Sequence, residues 1–282
     1  MIGRRWEAAY RTDMSHDGGR LLSLAAGTVL DVGPADAVEV AAAAGWPAVG
    51  LWFDARSWTD ATTRDVAARL AATGVRALDV EPVILGRGDD GGERLVDAAA
   101  ALGVPYVLMA SGGADHDRVA TRLGELCVHA DRHAPGVRIV LEFLPIFSVR
   151  TLDEAVAVVR RVDHPAVAVL VDTLHLARSG GSPASLGRFE PSLLPYLQVA
   201  DAPVEAPADL DGLRHEALHG RVLPGQGALP LVDALRALPG VPVSVELRSA
   251  ELMERFPDPV ARAAAVLEAT RSVVAAADRS GG

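Results

Sequence analysis

One pattern constrains this chain more than any other. A short apolar run followed by an alanine-rich amphipathic stretch occurs eight times in 282 residues, with a period near 30. The strand-like runs are Leu21–Val29, Ala48–Phe53, Val75–Val80, Tyr106–Ala110, Val137–Phe143, Val167–Asp172, Tyr196–Ala200 and Pro242–Leu247. Each is apolar on both faces, as strands of a parallel sheet covered on both sides must be. Helical patterns lie between them, at Ala35–Ala44, Thr59–Ala72, Gly92–Leu102, His116–His133, Leu152–Arg161, Leu229–Leu238 and Pro259–Ala277. Thr151-Leu-Asp-Glu154 reads as a capping box, and Asp258-Pro259 places proline at the first helical position. Strict alternation means a parallel sheet, and eight units favour closure into a single (β/α)8 TIM barrel over an open, doubly wound sheet. The barrel is expected over residues 20–278, with residues 1–19, including Trp6 and Tyr10, as an N-terminal extension or covering segment.

Composition removes whole chemistries. The chain has no lysine and no asparagine, so all 27 of its basic residues are arginine. A Schiff-base aldolase, a pyridoxal-phosphate enzyme and a P-loop nucleotide site each need a lysine amine. The net charge of −10 argues against a nucleic-acid surface, which needs a basic footprint. No apolar run approaches the ~18 residues that span a bilayer, and MIGRRWEAAYRTD lacks the apolar core of a secretory signal, so a cytoplasmic protein is expected. The single cysteine, Cys127, sits in a helical pattern and reads as a buried structural thiol.

On a (β/α)8 barrel the chemistry gathers at the carboxyl ends of the strands. Five of those ends carry acidic, amide or imidazole groups: DVEP with Glu81, VLEFLP with Glu142, LVDTLH with Asp172 and His175, YLQVAD with Gln198, and SVELRS with Glu246. Glu142, Asp172 and Gln198 are 30 and 26 residues apart, one β/α repeat each, so they stand on consecutive strands five, six and seven. Glu246 follows after 48, a gap holding the insertion 204–227, which is long for a βα connection and reads as a functional loop. Three carboxylates and an amide oxygen converging on one barrel mouth repel one another unless a cation holds them. An oxygen-rich site of this kind suits Mg²⁺ or Mn²⁺. Taken singly, each carboxylate has a plainer reading, as a helix cap or the partner of an arginine. Gln198 is one of only two glutamines and interrupts an apolar strand. His215 and His219, four apart in the insertion, read as loop residues near the mouth.

These residues resemble the xylose-isomerase-like TIM barrels known as sugar phosphate isomerases/epimerases, over nearly the whole span from Leu21 to Ala277. The resemblance implies one divalent metal held by Glu142, Asp172, Gln198 and Glu246. Glutamine on strand seven is similar to the hydroxypyruvate isomerase and 3-dehydroshikimate dehydratase branches, whereas the ketose 3-epimerase branch has histidine there. VDTLH is similar to the family's D-x-x-H, which implies a substrate-facing His175. HGRVLPGQG resembles the R-x-x-PG-x-G loop, which implies that Arg221 contacts substrate oxygens.

The chemistry expected of this set is proton transfer beside the carbonyl of a small keto-sugar, polyol-derived ketone or hydroxy-keto acid. The metal would stabilise the enediolate left when the α-proton departs, with Glu142 and Glu246 as candidate bases, one per substrate face. An isomerase or epimerase is the first reading and a dehydratase of the 3-dehydroshikimate type the second. His175 either faces the substrate or orients Asp172, and Glu81 either contacts substrate or caps a helix. No glycine-rich turn follows strand eight, so an unphosphorylated substrate is expected. Barrels of the family commonly pair, so a homodimer is compatible with the resemblance.

Overall fold

The computed structural model describes residues 19–86 and 91–279. The expected extension over 1–19 lies, apart from Gly19, outside them. Eight parallel strands close into a barrel in sequence order: β1 Leu22–Leu24, β2 Ala48–Trp52, β3 Arg76–Ile84, β4 Tyr106–Ala110, β5 Arg138–Glu142, β6 Val167–Asp172, β7 Leu197–Val199 and β8 Val243–Val245. The helices on its outside are α1 Pro34–Ala44, α2 Asp60–Thr73, α3 Gly92–Leu102, α4 His116–His133, α5 Leu152–Val162, α6 Thr173–Arg178, α7 Pro183–Leu186, α8 Leu210–His219, α9 Leu231–Ala237, α10 Ala250–Arg255 and α11 Pro259–Asp278. Thr151 and Glu154 form the capping box that opens α5, and Asp258 caps α11 with Pro259 in its first turn. None of the described helices is long and apolar enough to cross a membrane.

Two elements depart from the sequence reading in a way that shapes the site. The first strand ends at Leu24, and Ala26–Thr28 turn into one 3-10 coil instead of continuing to Val29. The cause is a contact 217 residues away. Thr28 Oγ1 donates to the Val245 carbonyl at 2.8 Å and accepts from Leu247 N at 2.9 Å, so the turn is clipped to both sides of Glu246. The insertion after β7 is also more ordered than a loop, because α8 occupies its middle. His215 and His219 are therefore exposed residues of one helix, with rings 5.4 Å apart.

Apolar side chains fill two shells. One lies between the barrel and its helices; the other, with Leu21, Ala48, Leu78, Tyr106, Leu108, Val140 and Leu170, plugs the barrel floor. Closure depends on the ends of the chain. Arg20 donates to the Leu238 and Leu235 carbonyls at the end of α9, and buried Trp46 donates Nε1 to Ala263 of α11 at 3.0 Å. Cys127 is buried within the outer shell, where burial pushes its thiol up to about 12, as a structural thiol requires.

Side chains on a strand alternate between its faces. The inward row two residues before Gln198 and Glu246 therefore holds Tyr196 and Ser244, the latter in register with Gln198 on one side and Ser23 of β1 on the other. Asp79 of β3 joins this row in the space that a side chain at Gly50 would fill, since a Cβ there would lie 2.4 Å from Asp79 Oδ1. Ser23, Ser244, Tyr196 and both oxygens of Asp79 are buried without hydrogen-bond partners in the chain. Burial, with the Glu246 charge adding to it, pushes Asp79 up to about 7 from 3.8. Native Asp79 thus keeps its proton across a range in which the unfolded chain has lost it, and stability falls as pH rises from about 4 to 7. Urea unfolding in chelator should show Asp79→Asn with a flatter profile over that window, the wild type losing on the order of 4 kcal/mol more.

Candidate active site

Register brings the strand-end residues together. Asp172 on β6 is the direct neighbour of Gln198 on β7, and Glu246 follows β8 with its backbone N–H on the Val199 carbonyl at 3.0 Å. Glu142 closes β5. Asp172 both caps a helix and faces the mouth. Its Oδ1 accepts from Leu174 N and His175 N, which starts α6 immediately after the strand and turns His175 back over the barrel. One ligand atom each from Glu142, Asp172 and His175 lies within 4.8 Å of the other two, and His175 Nε2 stands 3.8 Å from Glu142 Oε1.

Arg221 joins Glu246 to this group. Its NH1 lies 2.7 Å from Asp172 Oδ2 and 2.9 Å from Glu246 Oε2, and its Nε donates to the Ala217 carbonyl at the end of α8. The guanidinium is buried among candidate ligands, with NH2 3.5 Å from His175 Nε2. The insertion puts it there. Arg178, its side chain largely covered, grips Glu216 of α8 through two 2.7 Å bonds, and the PGQG turn wraps Asp201, whose carboxylate accepts from Gly225 N, Gly227 N and Leu229 N. Gly227 is required by that approach, because a Cβ would lie 2.3 Å from Asp201 Oδ1.

The electrostatics are uneven. Burial raises Glu142 well above the usual carboxylate range, with Asp172 and Glu246 adding to it. Burial also raises Glu246, although the Arg221 guanidinium opposes it. Asp172 is equally buried, yet Arg221 and its hydrogen bonds hold it below the usual range. Burial lowers His175 to about 4, so its ring is neutral at pH 7. Glu81 on β3 is buried with Oε1 unpartnered and is raised by burial and by Glu246. It caps no helix, since the next helix, α3, begins at Gly92 with Gly91 at its N-cap.

This donor set fits a divalent cation. Three buried carboxylates repel one another, and both amide atoms of Gln198 are buried without a partner, an arrangement that costs free energy unless a bound group satisfies it.

Comparison with known proteins agrees with the architecture. The family model described as Xylose isomerase-like TIM barrel matches residues 38–273. The chain belongs to this family. It is 30% identical over 216 residues to the 3-dehydroshikimate dehydratase of Pseudomonas aeruginosa, covering 70% of this chain and 33% of that protein, so it spans about a third of that relative's length. It superposes on a xylose isomerase-like TIM barrel/4-hydroxyphenylpyruvate dioxygenase fusion protein with a TM-score of 0.74 at 25% identity, covering 89% of this chain and 42% of that one. A crystal structure of the IolI protein with a bound zinc atom gives a TM-score of 0.77 at 22% identity, over 90% of this chain and 98% of the other.

Several residues that shape the mouth of this xylose isomerase-like barrel escaped the sequence reading. Gly27 lies against Glu246, so closely that a Cβ would fall 2.2 Å from Oε1. Asp79 and Arg248 each stand two residues from a recognised strand-end acid, on the side that alternation assigns to it; that spacing was the available signal. Gly27 and Asp201 gave none, because their partners are distant in sequence.

Proposed function

We propose that the protein is a divalent-metal-dependent enzyme that withdraws a proton beside the carbonyl of a small polyhydroxylated keto acid and expels the β-hydroxyl, as in the dehydration of 3-dehydroshikimate. The observation that carries this reading is the meeting of Glu142, Asp172 and His175 at the barrel mouth, with Glu246 tied in through Arg221 and unpartnered Gln198 between β6 and β8. The dehydratase relative supports the lyase outcome.

Glu142, Asp172, Gln198 and Glu246 would hold the metal, which when bound supplies a Lewis acid for the carbonyl oxygen. Oxygen ligands of this kind suit Mg²⁺ or Mn²⁺, while the place of His175 in the cluster also admits zinc, the metal of the IolI structure. Glu246, next to a permanent cation, is the base that takes the α-proton; its position is fixed by Gly27 and Arg221. Glu142 faces the opposite side and carries the proton that the departing hydroxyl needs, with His175 in reach to pass it. The C–H pair becomes the new C=C bond, the C–O bond breaks, and the hydroxyl leaves as water.

The placement of two carboxylates on separate strands, β5 and β8, also permits a second reading. If Glu142 returns the proton to carbon instead of to the hydroxyl, the same residues run an isomerisation or epimerisation. One experiment separates the outcomes. Chain loaded in turn with Mn²⁺, Mg²⁺ and Zn²⁺ is incubated in heavy water with 3-dehydroshikimate and with a ketose and keto-acid panel. Dihydroxybenzoate from the first is the expected result. Carbon-bound deuterium in a panel compound that keeps all its hydroxyls would replace lyase with isomerase or epimerase. The absence of both would overturn proton transfer at this site.

A further inference from the structure

Arg248 follows β8 two residues after Glu246 and is half-buried at the barrel mouth. Its guanidinium carbon lies over the ring of Trp52 at 6.0 Å from the centroid, a cation–π contact, and Trp52 ends β2 in register with Glu81. No hydrogen bond or ion pair engages that guanidinium among the described residues; its backbone carbonyl alone is used, by Arg221 N at 3.3 Å. Two other arginines near the mouth behave differently. Arg178 and Arg221 are each locked onto a carboxylate. A guanidinium held over an indole by cation–π attraction keeps its N–H groups available, and its planar fork suits a planar anion bound through two parallel hydrogen bonds.

We infer that Arg248, braced by Trp52, binds the carboxylate of the substrate and selects hydroxy-keto acids over neutral ketoses. This rests on the proposed reaction for the position of the substrate, whose carbonyl end lies at Glu142 and Asp172 across the barrel from β2 and β8. A carboxylate suits the place better than a phosphate. The helix that follows, α10, is a single short element whose Leu252 amide is already taken by the Ser249 hydroxyl and whose first turn carries Glu251, so it is poorly suited to hold a doubly charged anion. The mouth also holds Glu81, Glu142 and Glu246, all of which feel the Arg248 charge, and a dianion would meet more repulsion from them than a monoanion does. With no lysine in the chain, arginine is the cation available for the role.

The test is direct binding by calorimetry, with Mn²⁺-loaded full chain and two pairs of probes that differ only at the acid: shikimate against its methyl ester, and 2-keto-D-gluconate against D-fructose. Wild type should bind the acid of at least one pair tenfold or more tightly than its neutral partner, with the preference shrinking as salt rises. Arg248→Gln should bind acid and neutral probe alike, at the affinity wild type shows for the neutral one. Arg248→Lys should recover part of the preference, because it returns the charge without the fork. Unchanged Mn²⁺ affinity in both variants shows that the site is intact. Wild type with no acid preference, no binding of any probe, or Arg248→Gln retaining the preference would overturn the inference. Because no turnover is read, the two claims fail separately. An acid preference seated on Arg248 without dehydration of 3-dehydroshikimate leaves this inference standing, and dehydration with the preference intact in Arg248→Gln leaves only the reaction.

Discussion

Glu246→Gln should abolish turnover, by at least about 10³-fold in kcat, while the metal-free fold stays within a few degrees of the wild-type Tm. The reason lies in the same burial that makes the residue useful. Glu246 is 7% exposed, and burial disfavours its charge, so a neutral amide of the same shape is no burden to the folded chain. Arg221 keeps its 2.7 Å bond to Asp172 and is not left unpaired. What disappears is the proton acceptor at that position. Thermal unfolding and steady-state kinetics on one preparation check both halves, and a variant retaining wild-type turnover would remove Glu246 from the reaction.

Gly27→Ala should have nearly as large an effect although Gly27 has no functional group. A Cβ at that position would lie 2.2 Å from Glu246 Oε1 and 2.6 Å from its Cγ, and the side chain is the part that can yield. The backbone cannot, since Thr28 ties the turn to Val245 and Leu247. The carboxylate must therefore leave its place beside Arg221. Displacement of a reacting group by an ångström costs on the order of 100-fold. The expected pattern is kcat down by about that factor with Tm little changed, since the clash is relieved by one side chain. An activity equal to wild type would show that Glu246 works from a position other than the one Gly27 and Arg221 define.

The barrel was legible in the sequence because strands buried on both faces leave unbroken apolar runs, and because the helices between them carry their own start signals, such as Thr151 with Glu154. The strand-end acids were legible for a related reason. A Glu, Asp or Gln at the end of a run like LVD or YLQV has no place in a packed core, and its spacing by one repeat puts it beside its neighbours. Short elements were not. Helix α6 exists because Asp172 caps it directly from the strand, and α7 and α10 are only four and six residues long, with compositions that match a loop. Contacts between distant positions were invisible too: the turn at Ala26–Thr28 answers to β8, and the PGQG turn answers to Asp201. The pairing of Arg221 with Asp172 and Glu246 belongs with these, since a motif states which residue is present and not what it touches.

If Glu142, Asp172, Gln198 and Glu246 hold one divalent cation together, manganese titration followed by calorimetry or electron spin resonance will show it. Wild type should bind one Mn²⁺ per chain, and Gln198→Leu, which fills the same strand position with an apolar side chain, should bind at least tenfold more weakly with its fold preserved. No binding by wild type, or equal affinity in Gln198→Leu, would contradict that shared site.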